Sequence, residues 1–121
     1  MSVIPLETIN VVSGVMIYRW MEMGNGDTGE PLYLSHSSDK TVQVYGTFGT
    51  GGSVTLQGSN HKADEEQTYA SLHKVDISAA TYGSAGMDVI IDNPIAIRPN
   101  VTAGDETTSL NVILCCCKTI K

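Results

Sequence analysis

The stretch VQVYGTFGTGGSVTLQG, residues 42–58, decides the fold. On either side of its glycine-rich centre, apolar and polar side chains alternate with a period of two, which sends one set into a core and the other toward solvent. Val54 and Leu56 face one way, for example, and Thr55 faces the other. The intervening Gly49 to Gly52 supplies the positive φ that a tight hairpin demands. The stretch therefore predicts two strands joined as a β-hairpin.

The alternation recurs in two later parts of the chain. In residues 108–116 the side chains form two rows on opposite faces of a strand. One row is Leu110, Val112, Leu114 and Cys116, and the other is Ser109, Asn111, Ile113 and Cys115. In residues 87–101 the pattern predicts six inward side chains, namely Met87, Val89, Ile91, Ile95, Ile97 and Val101. Turn-forming residues separate these runs at short intervals, which is typical of a sandwich or barrel. We predict an all-β, single-domain antiparallel β-sandwich of about eight strands, jelly-roll-like or related.

Length and composition agree with one compact domain. The 121 residues are 41% hydrophobic, enough for a single sandwich core, and only 17% are charged. We place an N-terminal arm at 1–10, the β-sandwich domain at 11–117 and a C-terminal tail at 118–121.

Charge and hydropathy exclude two classes of partner. The net charge is −6 and the seven basic residues are scattered, whereas a duplex-DNA footprint needs a concentrated basic face. The longest apolar stretches, 11–18 and 110–117, are far shorter than the roughly twenty residues of a membrane-spanning helix. No basic residue precedes Arg19, so the start lacks the charged region of a secretory signal. We expect synthesis in a host cytoplasm, with no direct nucleic-acid partner and no membrane partner.

The segment 11–23 is apolar on both faces of a strand. One face carries Val15, Ile17 and Met21, and the other carries Met16, Tyr18 and Trp20. One face can enter the core, while the second needs a cover, either another subunit or partner or the chain's own termini. We predict an oligomer interface that includes Val15, Ile17, Tyr18, Trp20 and Met21.

No catalytic, cofactor or metal site is predicted. The sequence lacks the motifs around an activated nucleophile and the glycine-rich phosphate loops. His36, His61 and His73 have no zinc-site spacing, which favours solvated or strand-surface histidines. The loop 25–30 is rich in oxygen ligands but lacks a full calcium series, which favours a polar turn.

Three consecutive cysteines close the last apolar run. Their spacing fits neither a disulfide framework nor a chelating pair. In a strand, Cys115 and Cys117 share one side and Cys116 takes the other. We predict small buried hydrophobes in a last strand, with a cysteine at a subunit seam as the alternative.

A series of motifs resembles small virion structural proteins of tailed bacteriophages. In chain order these are Trp20, Gly26 to Pro31, Asp39 to Val44, Gly46 to Gly49, Ser53 to Asn60, Ile97 to Thr102 and Gly104 to Val112. The resemblance runs over roughly four fifths of the chain, from Met16 to Leu114, and its strength is the order of the motifs.

The resemblance implies a β-sandwich module that decorates a procapsid or mature head, commonly as a trimer. From it we expect a non-enzymatic decoration (cement) protein in the virion, which binds the outer surface of the major capsid protein shell as a homotrimer. One alternative is a phage neck or tail structural protein. Another is a carbohydrate-binding sandwich displayed on the virion, which would stack sugars on Trp20, Tyr33 and Tyr82.

Overall fold

The computed structural model describes residues 2–12, 14–33 and 37–118, and every regular element in these ranges is a strand. Their bounds are β1 Val3–Ile4, β2 Glu7–Val12, β3 Val15–Met23, β4 Thr28–Gly29, β5 Leu32–Tyr33, β6 Ser37–Thr47, β7 Ser53–Ser59, β8 Ala70–Ser71, β9 Thr81–Tyr82, β10 Gly86–Ile90, β11 Ala96–Ala103 and β12 Ser109–Lys118. Within the same ranges, no helix has the length and apolar character needed to cross a bilayer.

Two sheets form the molecule. A five-stranded sheet has the order β10-β6-β12-β3-β2 and is antiparallel throughout. The other sheet has the order β1-β4-β11-β7-β8, with β5 on β11 and β9 on β7, and only the β1–β4 pair is parallel. Buried side chains from both sheets form one core cluster. The predicted all-β sandwich is therefore confirmed, with seven of the strands in the described ranges having five or more residues.

Each long core strand contributes one row of alternate side chains to the core. In β12 the row Leu110, Val112, Leu114 and Cys116 is buried as predicted, each at most 1% exposed. Val42 and Val44 of β6 extend that row, and across the interior lie Val54, Leu56, Ile97 and Val101.

The glycine-rich centre of residues 42–58 does not form a hairpin. β6 pairs with β10 and β12, whereas β7 pairs with β8, β9 and β11, so the connection passes from one sheet to the other. The turn is tight, because a Cβ on Gly52 would lie 1.8 Å from the carbonyl oxygen of Phe48. We call this connection between β6 and β7 the arch. A hairpin and an arch between two packed sheets require the same alternation and the same turn residues, since both place Val44 and Val54 in a shared interior. The strands and the turn were predicted correctly, and their pairing was wrong.

The predicted phase of β10 was also wrong. Met87 and Val89 are 58% and 49% exposed, while Ile90 is 1% exposed. Asp88 lies on the same side as Ile90, where its carboxylate accepts a 2.8 Å hydrogen bond from the hydroxyl of Tyr82. In an edge strand with apolar residues on both faces, alternation shows which residues share a face, but it does not show which face is inward. Ile91 and Ile95 are likewise exposed, whereas the inward prediction for Ile97 and Val101 is confirmed.

A bulge in β3 lets it bury two residues three positions apart. Val112 pairs with Trp20 and Leu110 pairs with Met23, so two β3 residues oppose Asn111 alone. One of these, Glu22, has φ 57°, and its amide donates to Asn111 Oδ1 at 2.9 Å. Trp20 and Met23 are consequently both fully buried.

The N-terminal residues take part in both sheets. β1 pairs with β4 and β2 pairs with β3, so the boundary predicted between residues 10 and 11 lies inside a strand. At the other end, β12 extends to Lys118, and residues 119–121 of the predicted tail lie outside the described residues.

Candidate functional site

The surface of the five-stranded sheet that faces away from the core carries a continuous apolar band. Paired residues of antiparallel strands share a side, so one row crosses all five strands. It consists of Val89, Thr41, Cys115, Ile17 and Ile9. We call this row and its two flanking rows the outer face.

The flanking rows are also largely uncharged. One contains Met87, Gln43, Ile113, Arg19 and Glu7, and the other contains Asp39, Cys117, Val15 and Val12. Arg19 and Glu7 form an ion pair, with 3.3 Å between Nη2 and Oε2, at the β2–β3 margin. The charges on these rows thus lie toward the edges, and the centre of the outer face is apolar.

Three of the five residues predicted for an interface lie on the side of the sheet that bears the outer face. Val15 and Ile17 lie in its rows, and alternation from the inward Trp20 places Met21 on the same side. Tyr18 and Trp20 belong to the core side. Trp20 is 0% exposed, and its indole Nε1 donates to the Glu30 carbonyl oxygen at 2.9 Å. Trp20 and Tyr18 thus lie on the face of β3 that its own chain covers, fully in the case of Trp20, and the interface itself stays a prediction.

The cysteines divide between the two sides. Cys116 is buried beneath the sheet, and burial raises the pKa of its thiol to about 12. Cys115 and Cys117 lie half-buried on the outer face, and all three thiols are free. The prediction of a buried hydrophobe is confirmed for Cys116, while the other two are surface residues.

A polar cleft of about 450 Å³ opens between the segments 58–60, 68–73 and 92–94. On its wall, His73 Nδ1 lies 3.0 Å from Asp92 Oδ2, and the His73 amide donates to Asp92 Oδ1 at 2.8 Å. Burial alone would raise the pKa of Asp92, but these hydrogen bonds from His73 outweigh it and the pKa is lowered. Next to this pair, the amine of Lys40 contacts Asn93 Oδ1.

The cleft lacks the hydrogen bond that defines an activated nucleophile. Ser59, Thr68 and Ser71 line it, yet in the described ranges the hydrogen bonds of the His73 side chain go to Asp92 and not to a hydroxyl. Nor do three or more acidic, histidine or cysteine residues in those ranges form a metal-binding group.

The histidines differ from one another in setting. His61 is exposed, with its ring 3.9 Å from Glu65, and His36 lies outside the described residues. The His73–Asp92 pair was missed by sequence analysis, because its members are 19 positions apart and come together only through the pairing of their segments.

The loop 25–30 is a polar turn that holds the N-terminal segment. Asp27 accepts hydrogen bonds from the amides of Ser2 and Gly24, each at 2.8 Å. Glu30 accepts one from the amide of Leu6 at 2.9 Å. The carboxylates of this loop thus accept hydrogen bonds from backbone amides.

Of the three aromatic residues considered for sugar stacking, two are buried. Trp20 and Tyr82 are 0% and 6% exposed, while Tyr33 is 44% exposed. Tyr33 pairs with Ala96 of β11, and on the same strand the guanidinium of Arg98 lies 3.8 Å from the centre of the Tyr69 ring.

Comparisons with known proteins support the fold. No protein-family model matches the sequence, and no curated protein matches it either. The crystal structure of the SPBc2 prophage-derived protein YomS aligns with 89% of this chain and 98% of its own, with a TM-score of 0.59 and 14% sequence identity. Peruvianin-I, a cysteine peptidase from Thevetia peruviana latex, aligns over 88% of this chain and 52% of its own, with 13% identity and a TM-score of 0.44. The likeness to YomS shows a shared fold, and the weaker likeness carries no argument.

Proposed function

We propose that this chain is a non-enzymatic structural protein of a tailed-phage virion, which decorates the head by binding the outside of the major capsid protein shell. The ordered motifs that resemble virion proteins support this proposal. So does the likeness in fold to YomS, whose name gives its origin as a prophage.

The observation that carries the proposal is the outer face. Its central row is apolar on four of the five strands, with Thr41 on β6 as the exception, and Val12, Val89 and Met87 on its rows are each about half exposed or more. A contiguous apolar surface of this kind marks an interaction site, whereas single exposed apolar residues do not. We assign this face to contacts between copies of the chain, and the loops and N-terminal residues to the shell.

A trimer fits this arrangement. Three copies can turn their outer faces toward a common axis, which removes the apolar rows from water. Once one subunit docks on the shell, the other two bind at a high effective concentration, so modest contacts become durable. The net charge of −6 suits a position outside the shell, away from packaged DNA.

The substitution Ile17→Glu tests the proposal. It places a carboxylate in the middle of the central row, and Val75→Glu, at a 65% exposed turn residue outside that row, is the matched control. By light scattering we expect the parent and Val75→Glu to be trimers and Ile17→Glu to be monomeric, with at least tenfold weaker binding to purified heads. A monomeric parent, or heads whose heat resistance is the same with and without the protein, would contradict the proposal.

A carbohydrate-binding sandwich is the second candidate. The exposed Tyr33 and the Tyr69–Arg98 stack favour it, because aromatic faces and guanidinium groups bind sugars and acidic sugars. A glycan array distinguishes the two: binding that is lost in Tyr33→Ala supports the second candidate, and no binding supports the first. A neck or tail position would instead place the protein away from the head lattice in a particle reconstruction.

A further inference from the structure

A lysine is buried between the sheets at one end of the core. Lys40 of β6 is 2% exposed and points inward, flanked by its strand partners Ile90 and Cys116. Lysine is almost never fully buried unless its amine has a specific partner. The contacts of this amine therefore indicate the role of Lys40.

The amine of Lys40 reaches the side chain of Asn93. Its Nζ contacts Asn93 Oδ1, although the two residues are 53 positions apart. The carboxamide carbon, Cγ, lies one C=O bond of about 1.2 Å beyond that oxygen. A nitrogen nucleophile from the core and the amide carbon of a residue that lines the polar cleft are thus adjacent.

The surroundings favour the reactive form of the amine. Burial lowers the pKa of Lys40 and outweighs the opposing electrostatic effects of the ionisable groups of Cys116, Asp92 and Asp39. A desolvated lysine with a lowered pKa is the form in which proteins use this side chain as a nucleophile.

The residue after Asn93 removes a competing reaction. Asparagine commonly loses ammonia when the backbone nitrogen of the following residue attacks Cγ, but here that residue is Pro94, which has no N–H. The nitrogen of Lys40 is therefore placed to attack without this competitor.

We infer that Lys40 and Asn93 form an intramolecular isopeptide bond. Lys40 Nζ attacks Asn93 Cγ, a new C–N bond forms, and the bond from Cγ to Nδ2 breaks. One proton passes from Nζ to the departing nitrogen, which leaves as ammonia through the cleft. Primary amine and carboxamide give secondary amide and ammonia, so no oxidant, reductant or cofactor is consumed.

The neighbouring carboxylate of Asp92 is placed to transfer the proton. Asp92 precedes Asn93 in the chain, its charge acts on Lys40, and its carboxylate is hydrogen bonded to His73 on the same cleft wall. An ionised carboxylate can take a proton from the attacking amine and return it to the leaving nitrogen, while the hydrogen bonds from His73 hold the carboxylate in place.

Tryptic mapping of the purified full chain under denaturing, reducing conditions tests the bond. Trypsin does not cleave after an acylated lysine, so a bonded chain yields peptides 20–62 and 75–118 joined as one species, lighter than their sum by one ammonia. Without the bond, cleavage after Lys40 releases 20–40 and 41–62. Mapping also separates this loss from succinimide formation at Asn25–Gly26, which changes the mass of peptide 20–40 and joins no peptides.

The variants Asn93→Ala and Lys40→Met serve as controls, the second keeping a long apolar stem at the buried position. We expect the joined species in the parent after incubation of the folded protein at neutral pH, and its absence in both variants. Complete cleavage after Lys40 in the parent, or a joined species that persists in Asn93→Ala, would overturn the inference. The inference does not depend on the proposed role in the virion.

Discussion

At the scale of single residues, the inward aromatic of β3 is the main anchor of the sandwich. Trp20 is fully buried in the core cluster, and the hydrogen bond from its indole satisfies the carbonyl of Glu30 near the start of β5. The side chain thus joins the inner face of the five-stranded sheet to the connection between β4 and β5 of the other sheet.

Trp20→Ala should lower the free energy of unfolding by about 3–5 kcal/mol, because it leaves a cavity and an unpaired carbonyl. Trp20→Phe keeps most of the ring and should cost less. Urea denaturation followed by far-UV circular dichroism measures both, since the only tryptophan is the one removed. A cost for Trp20→Ala below that of Trp20→Phe would contradict the assignment of Trp20 to the core.

Asp92 gives a second prediction at this scale. If its carboxylate accepts the proton from Lys40, Asp92→Asn should slow formation of the Lys40–Asn93 bond by roughly a hundredfold or more. Tryptic mapping over a time course after refolding follows the joined species, with Asp64→Asn in an exposed loop as the control. Equal rates for Asp92→Asn and the control would exclude Asp92 from the proton transfer.

At the scale of elements, the connection between β6 and β7 is held by a neighbouring loop. Asp105 accepts hydrogen bonds from the amides of Thr50 and Thr107, each at 2.9 Å, and from the Thr107 hydroxyl at 2.6 Å. These bonds fasten the arch between the sheets to the turn that precedes β12. They also lower the pKa of Asp105 well below its ordinary value.

This lowered pKa sets the direction of a pH effect. The stabilisation is present above the unfolded carboxyl pKa of about 3.9 and is lost as the pH falls through the lower folded-state pKa. Asp105→Asn should therefore melt below the parent at pH 7, with the difference shrinking in acid. Calorimetry from pH 7 into acid measures the melting temperatures of the parent and of Asp105→Asn. A difference between them that is constant with pH would contradict the lowered pKa of Asp105.

The arch itself can be tested with glycine substitutions. Gly52→Ala forces a methyl group into the Phe48 carbonyl and should cost about 2 kcal/mol or more. At Gly83 the nearest atom to an added Cβ is 3.8 Å away, so Gly83→Ala should change the stability far less. Denaturant midpoints compare the two, and equal losses would show that the turn at Gly52 is not as tight as described.

The same elements show how far sequence reasoning extends. Alternation identified the strands and the buried row of β12 because local side-chain direction depends only on neighbouring residues. It could not place β6 and β7 in different sheets, nor select the inward face of β10, because both depend on which distant strand supplies the partner. For the same reason the sequence showed that β3 has two apolar faces but not that Trp20 is on the covered one, and it gave no sign that Lys40 meets Asn93.

At the scale of the whole molecule, the inferred bond would tie β6 to the segment after β10. The closed loop spans 53 positions and contains β7, β8, β9 and β10, so it links parts of both sheets. A cross-link over a loop of this length removes chain entropy from the unfolded state, which for the analogous disulfide amounts to about 4 kcal/mol. The chain would gain resistance to heat without a larger core.

Asn93→Ala should accordingly lower the melting temperature by several degrees or more. It should also slow migration on a denaturing, reducing gel, because the bonded chain stays more compact when unfolded. Asn60→Ala, which removes an asparagine side chain at the same cleft, is the control. Identical migration of the parent and Asn93→Ala would contradict the presence of a covalent loop.

Alkylation of the three consecutive cysteines would report whether the protein is assembled, dissociated or unfolded. An alkylating reagent should modify Cys115 and Cys117 when the outer face is open to solvent, and neither when another surface lies against it. Cys116 should react only after the two sheets separate, since it is fully buried. The number of labels per chain, zero, two or three, would then distinguish assembled, dissociated and denatured protein in one mass spectrum, without a probe being engineered into the chain.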